Sequence, residues 1–443
     1  MFVCSECGYS SHDWMGRCPN CNQFDTFEED SGEADDSSGE TAPLNEDSET
    51  LSDISTEKQS RFPTGLSELD RVLGGGMVPG SVALIGGPPG IGKSTLLLQW
   101  ADSWPVDDGP VLYINGEESK QQVARRARRI NSLSDNVELI PVELIESLTA
   151  KIDQWDPSLV FVDSIQTVRS EESNGSPGSV SQLRAVTREL VDTAKKRNIP
   201  HVLVGHVTKE GKIGGPKRLE HMVDTVLYFD DSDRGYRFVR SAKNRFGPTG
   251  ELGIFEMTES GLNPIENPGE YFCSTDGRSS GRALTVALQG TRALMVEVQA
   301  LVTPSQYGTP QRTATGLPEK RLKMMVAVLE KKLGLPLGTQ DIILNVAGGL
   351  TLDDPGTDLA AVLSIISSFH DSTLPQRLVG LAELGLTGRL RAPAQIDRRK
   401  REAIQLQSEP IVVGGNHDTS DSDSVIGVET LSELSNTLGL KQP

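Results

Sequence analysis

Long apolar runs are absent from this 443-residue sequence. None approaches the roughly 18 residues that a membrane-spanning helix needs, so no membrane partner is expected. The opening residues, Met1-Phe2-Val3-Cys4, lack the basic and then apolar layout of a secretion signal, and a cytoplasmic location is the expectation. Positive charge is in short supply: 43 Lys and Arg stand against 62 Asp and Glu, for a formal charge of −19 and a pI near 4.8. That balance argues against a general nucleic-acid coat. Contact with nucleic acid would need a local basic surface or the central channel of an oligomer. Cysteine is scarce too, with five in the chain, four of them within the first 21 residues and Cys273 alone. What the chain does have is length, enough for about two to three domains with sizeable cores.

The negative charge is uneven. Between Glu28 and Ser60, 12 acidic residues face one lysine, so this stretch carries −11 of the −19. It is rich in Ser and Thr as well, and it reads as a disordered, self-repelling linker over 28–60. Before it, Cys4-Ser-Glu-Cys7 and Cys18-Pro-Asn-Cys21 place two C-x2-C pairs ten residues apart. Four thiolates on two tight knuckles suit tetrahedral Zn²⁺ and leave no open position for catalysis. Disulfides or free thiols are the alternatives, and an intracellular chain favours zinc. Gly8 and Asn22 follow their knuckles, where positive φ is expected. His12, Trp14 and Arg17 lie between the knuckles, either to contact a partner or DNA or to cover the metal. Residues 1–27 are thus expected to form a zinc-binding module.

The densest chemistry lies between Gly86 and Thr95, Gly-Gly-Pro-Pro-Gly-Ile-Gly-Lys-Ser-Thr. Gly87 to Ser94 fits G-x-x-x-x-G-K-[ST]. The apolar run Ser81 to Ile85 precedes it and the helix-forming Leu96 to Trp100 follows, which is the strand–loop–helix context that a phosphate loop requires. Gly87, Pro88, Pro89, Gly90, Ile91 and Gly92 would wrap backbone N–H groups around a triphosphate at a helix N-terminus. Lys93 would reach the β- and γ-phosphates, the Ser94 hydroxyl would ligate Mg²⁺, and Thr95 closes the loop, so ATP and Mg²⁺ are implied.

The neighbouring strands supply carboxylates. Val111 to Asn115 ends in Gly116-Glu117-Glu118. A carboxylate at the C-terminal edge of a parallel strand beside the loop can orient a water toward the γ-phosphate. Glu117 is the expected base and Glu118 the competitor. Leu159 to Val162 is an all-apolar run closed by Asp163, which suits a strand buried on both faces with an Asp holding the Mg²⁺ shell. Arg125, Arg126, Arg128 and Arg129 make a basic helical face. Ser170 to Ser181 is polar and Gly-rich and is expected to be mobile. His201 to Gly205 is a strand ending at His206, which is either a γ-phosphate sensor or structural. Val207 to Lys217 holds Lys209, Lys212 and Lys217 and reads as a DNA-binding loop near a ring axis. The turn Lys243-Asn244-Arg245-Phe246-Gly247 is either a basic hairpin turn or a set of cations reaching a nucleotide across a subunit interface. The texture changes near Gly281. Strand and helix patterns alternate from there, with an amphipathic helix over Leu317 to Leu333 and an apolar one over Asp358 to Phe369. The expected divisions are an ATPase domain over 61–275 and a second α/β domain over 276–443.

Four features together, the four cysteines, the phosphate loop, Lys243-Asn-Arg-Phe-Gly247 and the C-terminal domain, resemble the bacterial RadA (Sms) family of RecA-superfamily DNA repair ATPases. The C-terminal domain is similar to the proteolytic domain of Lon proteases. There the family's Ser and Lys positions fall on Thr357, within Asp354-Pro-Gly-Thr-Asp358, and on Asp397, so no Ser–Lys dyad exists and the domain is read as non-proteolytic. The resemblance implies an α/β fold with a RecA-like P-loop core and a Lon-protease-like domain. It also implies a homo-hexameric ring that binds single-stranded and branched DNA, hydrolyses ATP, and promotes branch migration with the RecA recombinase. It carries Lys243 and Arg245 over as residues that couple hydrolysis to DNA, whether on ATP in trans or on DNA. The rival readings are a protease or protease adaptor, and an ATP-gated scaffold that does not move on DNA.

Overall fold

The computed structural model describes residues 2–7, 9–11, 13–21, 23–29, 61–105, 109–141, 143–206, 218–231, 235–273, 279–306, 308–415 and 424–439. Gly8, His12, Asn22, the acidic stretch from 30 to 60 and the basic stretch Val207 to Lys217 lie outside the described residues.

The N-terminal module is a small antiparallel sheet of β1 (Phe2–Cys4), β2 (Ser10–Ser11) and β3 (Phe27–Glu29), in the order β2-β1-β3. Its buried centre is Cys4, Cys18 and Phe27. So few apolar groups cannot hold a fold alone, which makes the cysteine cluster the organising element. Arg17 lies over the Phe24 ring at 5.3 Å, and Trp14 is exposed.

The first compact unit comprises residues 1–230, 239–249 and 257–263. After α1 (Ser67–Leu73), capped by Gly74, come β4 (Val82–Gly87), α2 (Lys93–Ser103), β5 (Val111–Asn115), α3 (Lys120–Arg129), β6 (Val137–Ile140), α4 (Ile145–Trp155), β7 (Leu159–Asp163), α5 (Val180–Arg197), β8 (His201–His206), α6 (Arg218–Met222), β9 (Thr225–Asp231), β10 (Tyr236–Asn244), β11 (Leu252–Thr258) and β12 (Gly261–Pro264). The sheet order is β12-β11-β10-β9-β4-β8-β7-β5-β6, and the run from β9 to β6 is parallel. Strands alternate with helices from β4 to α5, which is why the sheet is parallel and covered on both faces. Every residue of β4, β5 and β7 is buried, as their predominantly apolar sequences suit.

The polar segment from Ser170 to Ser181, expected to be mobile, is hydrogen-bonded at its start to α4 and α5. Gln182 donates from its amide to the carbonyls of Ser170 (3.0 Å) and Ser173 and accepts from the Ser170 N–H at 2.7 Å. The Glu146 carboxylate takes the Ser170 hydroxyl at 2.9 Å and the Glu171 N–H at 3.0 Å. One buried amide and one carboxylate therefore satisfy backbone groups of Ser170, Glu171 and Ser173.

The second unit comprises residues 231–238, 250–256 and 264–443. It adds α7 (Pro268–Phe272), β13 (Arg282–Gln289), β14 (Arg292–Pro304), β15 (Arg312–Thr315), α8 (Glu319–Leu333), β16 (Gln340–Val346), α9 (Asp358–Phe369), β17 (Val379–Leu381), β18 (Glu383–Leu384), β19 (Leu390–Arg391), α10 (Ile396–Gln405), β20 (Ile411–Gly414), β21 (Val425–Val428) and α11 (Leu431–Thr437). Its mixed sheet runs β15-β16-β14-β13-β17-β20-β21. The apolar α9 is buried from Asp358 to Ser367, and with Leu322, Met325 and Leu329 of α8 it forms a core against β14.

Candidate active site

Local sequence shapes the phosphate loop. Gly92 caps α2 in the left-handed region at φ 116, a conformation that favours glycine, and a Cβ there would also displace the Met257 Cε tip, 2.6 Å away. Lys93 begins α2. Its ammonium donates to the carbonyls of Gly87 (2.8 Å) and Pro88 (3.0 Å), so it lies folded back along the loop. Burial pulls Lys93 below its ordinary pKa, and the nearby carboxylates of Asp163 and Glu117 oppose that pull. Ser94 is half-buried and Thr95 buried.

The carboxylates arrive on β5 and β7. These strands pair in parallel with Asn115 opposite Asp163, so both strands end at the same edge. Asn115 Oδ1 accepts the N–H groups of Glu117 (3.3 Å) and Glu118 (3.2 Å), which folds the chain sharply after the strand. Gly116 makes room for this turn, because a Cβ there would fall 1.9 Å from Thr167 Oγ1. The two glutamates then part. The Ser164 hydroxyl donates to Glu117 Oε1, beside Asp163. Glu118 Oε1 instead takes the Arg126 guanidinium at 2.6 Å.

Asp163 is nearly buried, and Tyr113 Oη donates to its Oδ2 at 2.8 Å. Burial raises the Tyr113 phenol well above its ordinary pKa and the Asp163 charge raises it further, so it stays a donor. The Asp163 carboxylate and Ser94 hydroxyl are hard oxygen donors of the kind Mg²⁺ takes. Sequence reasoning gave no site role to Tyr113 or Ser164 and placed Arg126 only on a basic helical face. Tyr113 lies two residues before Asn115 in an otherwise apolar strand, and that polar tip was the available signal.

The Lys243–Gly247 turn belongs to the opposite edge of the sheet. Arg245 pairs with Asp224 at 3.2 Å, and Asp224 Oδ2 also accepts the N–H of Val82, the first residue of β4. Lys243 donates to the carbonyls of Glu220 (2.8 Å), His221 (3.3 Å) and Val223 (2.7 Å), closing the end of α6. Asn244 donates to Leu73 O at 3.1 Å, and Arg61 donates to both Leu73 O (3.2 Å) and Phe246 O.

In the zinc module the Sγ atoms of Cys4 and Cys21 lie 3.7 Å apart, those of Cys7 and Cys18 lie 3.4 Å apart, and all four fall within 4.8 Å of one another. A tetrahedron with Zn–S bonds of 2.3 Å has edges of about 3.8 Å, so the cluster fits zinc. In the second unit, the buried Thr357 hydroxyl donates to Asp354 O at 2.8 Å. Asp397, with its side chain 82% exposed, pairs with Lys400 at 3.1 Å. Arg399, buried, takes Asp354 Oδ2 at 2.6 Å and donates to Val286 O at 2.7 Å. A threonine tied to a carbonyl and a solvent-facing aspartate provide no nucleophile–base pair.

Comparison with known proteins adds the following. The model of a family described as an AAA domain matches residues 48–212, and that of the rubredoxin metal binding domain matches residues 2–29. The chain is 43% identical to the DNA repair protein RadA of Halalkalibacterium halodurans, over 99% of this chain and 98% of that protein. It is 43% identical to the DNA repair protein RadA of Bacillus subtilis, over 98% of each. Among solved structures, the RadB recombinase is 28% identical over 46% of this chain and 99% of its own, with a TM-score of 0.38.

Proposed function

The chain belongs to the RadA family of DNA repair proteins, and on that premise we propose that it is an ATP hydrolase whose turnover is coupled to single-stranded DNA. The observation that carries the reading is the convergence of Lys93, Glu117 and Asp163 at one sheet edge, where Lys93 feels the charge of both carboxylates. The backbone N–H groups of the phosphate loop and the Lys93 ammonium hold the triphosphate. Lys93 does so by exchanging its bonds to Gly87 O and Pro88 O for phosphate oxygens. Ser94 and Asp163 hold Mg²⁺, which when bound offsets charge on the β- and γ-phosphates. Glu117 takes the proton of the attacking water, and the Ser164 hydroxyl fixes one of its oxygens. Glu118, engaged by Arg126, braces the turn.

In this reading the subunits form a homo-hexameric ring and move on single-stranded and branched DNA, promoting branch migration with RecA. Lys243 and Arg245, at the far edge, couple hydrolysis to that movement. Cys4, Cys7, Cys18 and Cys21 hold a structural zinc. The second domain is a non-proteolytic, Lon-protease-like assembly domain. The test is ATP hydrolysis by the whole chain with and without single-stranded DNA, over a salt series, beside Lys93→Ala. Several-fold stimulation that fades with salt and vanishes in the variant supports the motor. Turnover indifferent to DNA at every salt refutes it.

A further inference from the structure

The charge of α3 is all of one sign. The helix holds Lys120, Arg125, Arg126, Arg128 and Arg129 and no carboxylate, whereas the other cation-rich helices, α5, α8 and α10, interleave theirs with Asp or Glu. Only Val123 and Ala127 of α3 are buried, and Arg125, Arg128 and Arg129 are exposed. Like charges three and four residues apart repel on a helix surface, as Arg125 does with Arg128 and Arg129. The negative end of the helix dipole offsets part of this for the last turn, which begins after Arg125. Glu118 offsets Arg126. Beside these cations runs an open groove of about 270 Å³, lined by Glu118, Gln122, Arg125, Arg126 and Arg129. A chain of carboxylates laid along this face would relieve the remaining repulsion.

The same chain carries such a polyanion and enters the fold close by. Glu46, Asp47, Glu49, Asp53 and Glu57 follow one another with no cation between them. The described fold resumes at Arg61. The Phe62 ring packs on Trp104, with centroids 5.6 Å apart, and Trp104 caps the C-terminus of α2. Two residues earlier on α2, the Asp102 carboxylate accepts the N–H of Ser134. Ser134 lies just past the end of α3, where the Ser132 N–H donates to Ala127 O at 2.9 Å. One short run of contacts thus joins the point of entry to the C-terminal end of the basic helix.

We propose that the exposed face of α3 and its groove are the docking surface for the acidic stretch of this same chain, with carboxylates from Glu46 to Glu57 engaging Arg125 and Arg129. Guanidinium forks match carboxylate oxygens as well as any anion. Asp53 stands eight residues before Arg61, a root-mean-square reach of about 16 Å for a flexible chain. The ten-residue α3 is about 15 Å long, so the tether matches the surface. Exposed ion pairs are individually weak. A short tether presents the carboxylates at an effective concentration on the order of millimolar, which lets several weak pairs add up. The docked stretch would place its carboxylates beside the Glu118–Arg126 pair that braces the turn after β5.

The test uses the full chain and two readouts. The first is cleavage by a glutamate-specific protease, followed by mass at Glu46, Glu49 and Glu57, in the native chain and in a double variant, Arg125→Gln with Arg129→Gln. Removing two exposed pairs should speed cleavage by about 2- to 30-fold at low salt. The difference should vanish at about 1 M salt. ATP hydrolysis in the glutamine pair should stay at the native rate, which shows that the chain is folded. The second readout does not depend on that variant. Arg125→Lys with Arg129→Lys keeps the charge and supplies amines that a water-soluble carbodiimide joins to carboxylates in contact with them. Links from these lysines to acidic residues of 46–57 are expected, and a mixture of isotope-labelled and unlabelled chains should show them within one chain. Equal cleavage of the native chain and the glutamine pair at every salt overturns the docking, as do links that all fall outside residues 30–60. Links to 46–57 found only between two chains overturn the own-chain assignment and make a second copy the occupant.

Discussion

Tyr113→Phe removes one oxygen atom from the centre of the ATPase unit. The ring stays, since its packing against Phe161 (centroids 6.0 Å apart), which in turn meets Trp100 at 5.4 Å, does not use the hydroxyl. What is lost is the 2.8 Å bond to Asp163 Oδ2. A hydrogen bond to a charged group contributes about 1.5–3 kcal/mol, more than a neutral one. Asp163 is almost shielded from water, so solvent does not readily replace the phenol. If that bond serves to hold the carboxylate toward the Mg²⁺ shell, its loss falls on the transition state and slows hydrolysis about 10- to 150-fold. The Mg²⁺ concentration for half-maximal rate should rise, because a carboxylate free to rotate is a poorer outer ligand. The assay is steady-state ATP hydrolysis over a Mg²⁺ titration for the native chain, Tyr113→Phe and Asp163→Asn, with denaturant melts to check the fold. A Tyr113→Phe rate within twofold of native at every Mg²⁺ concentration, beside an inactive Asp163→Asn, would show that the phenol does not position the carboxylate.

The two glutamates after β5 should separate cleanly. Glu117→Gln should retain ATP binding and lose hydrolysis by about 10²- to 10⁴-fold. Glu118→Gln breaks only a partly exposed pair with Arg126, valued at about 1 kcal/mol or less, so near-native turnover is expected; the opposite ranking reverses the assignment. Zinc analysis of the purified chain should find about one metal per chain. Cys18→Ser should abolish it and make residues 2–29 protease-sensitive, since Cys4, Cys18 and Phe27 are a core too small to stand without it. The buried His201 has its pKa lowered to about 4 by burial, with Nδ1 placed 2.9 Å from Ile199 O. The unfolded chain takes that proton near pH 6.5, so this contribution is complete above pH 6.5 and is lost as pH falls toward 4, by about 3 kcal/mol. Denaturant melts of the native chain and His201→Gln should diverge in slope over that window, and parallel curves would refute it.

Chemistry that is contiguous in sequence was legible. The phosphate loop, the two C-x2-C pairs and the apolar strand closing on Asp163 each carry their meaning within a short contiguous stretch, the longest being the 18 residues from Cys4 to Cys21. Their structural settings are a fully buried β4, a four-sulfur cluster and a fully buried β7. Helices with strong periodicity were legible as well, the apolar run Asp358–Phe369 among them. What stayed hidden depends on strand pairing. Tyr113 meets Asp163 only because β5 and β7 lie side by side in parallel, and Ser164 meets Glu117 only because the two strand ends share an edge. No local pattern distinguishes Glu117 from Glu118 until Arg126, eight residues on, is seen to hold one of them. The start of the segment Ser170 to Ser181 looked free by composition because the groups that hold it, Glu146 and Gln182, lie outside it.

The positions of the phosphate loop and the Lys243–Gly247 turn relative to β4 constrain how the proposed coupling could work. Lys93 folds back on Gly87, the last residue of β4, while Arg245 reaches the first, Val82, through Asp224. Five residue steps at about 3.3 Å each separate those ends by about 17 Å. An arginine side chain on the Val82 side cannot span that distance to the triphosphate of its own chain. In the proposed coupling, Arg245 would act on hydrolysis either at a neighbouring subunit's nucleotide or through β4 itself. The second route has a physical basis. Asp224 accepts from both Val82 N–H and Arg245, so an Arg245 drawn away to another anion leaves a nearly buried carboxylate with less compensation. The cost of that uncompensated charge falls on the foot of the strand whose other end forms the phosphate loop. Lys243 ties the same turn to α6. A nucleic acid that engages either cation would thus act on the strand and the helix at once, from the edge opposite the nucleotide.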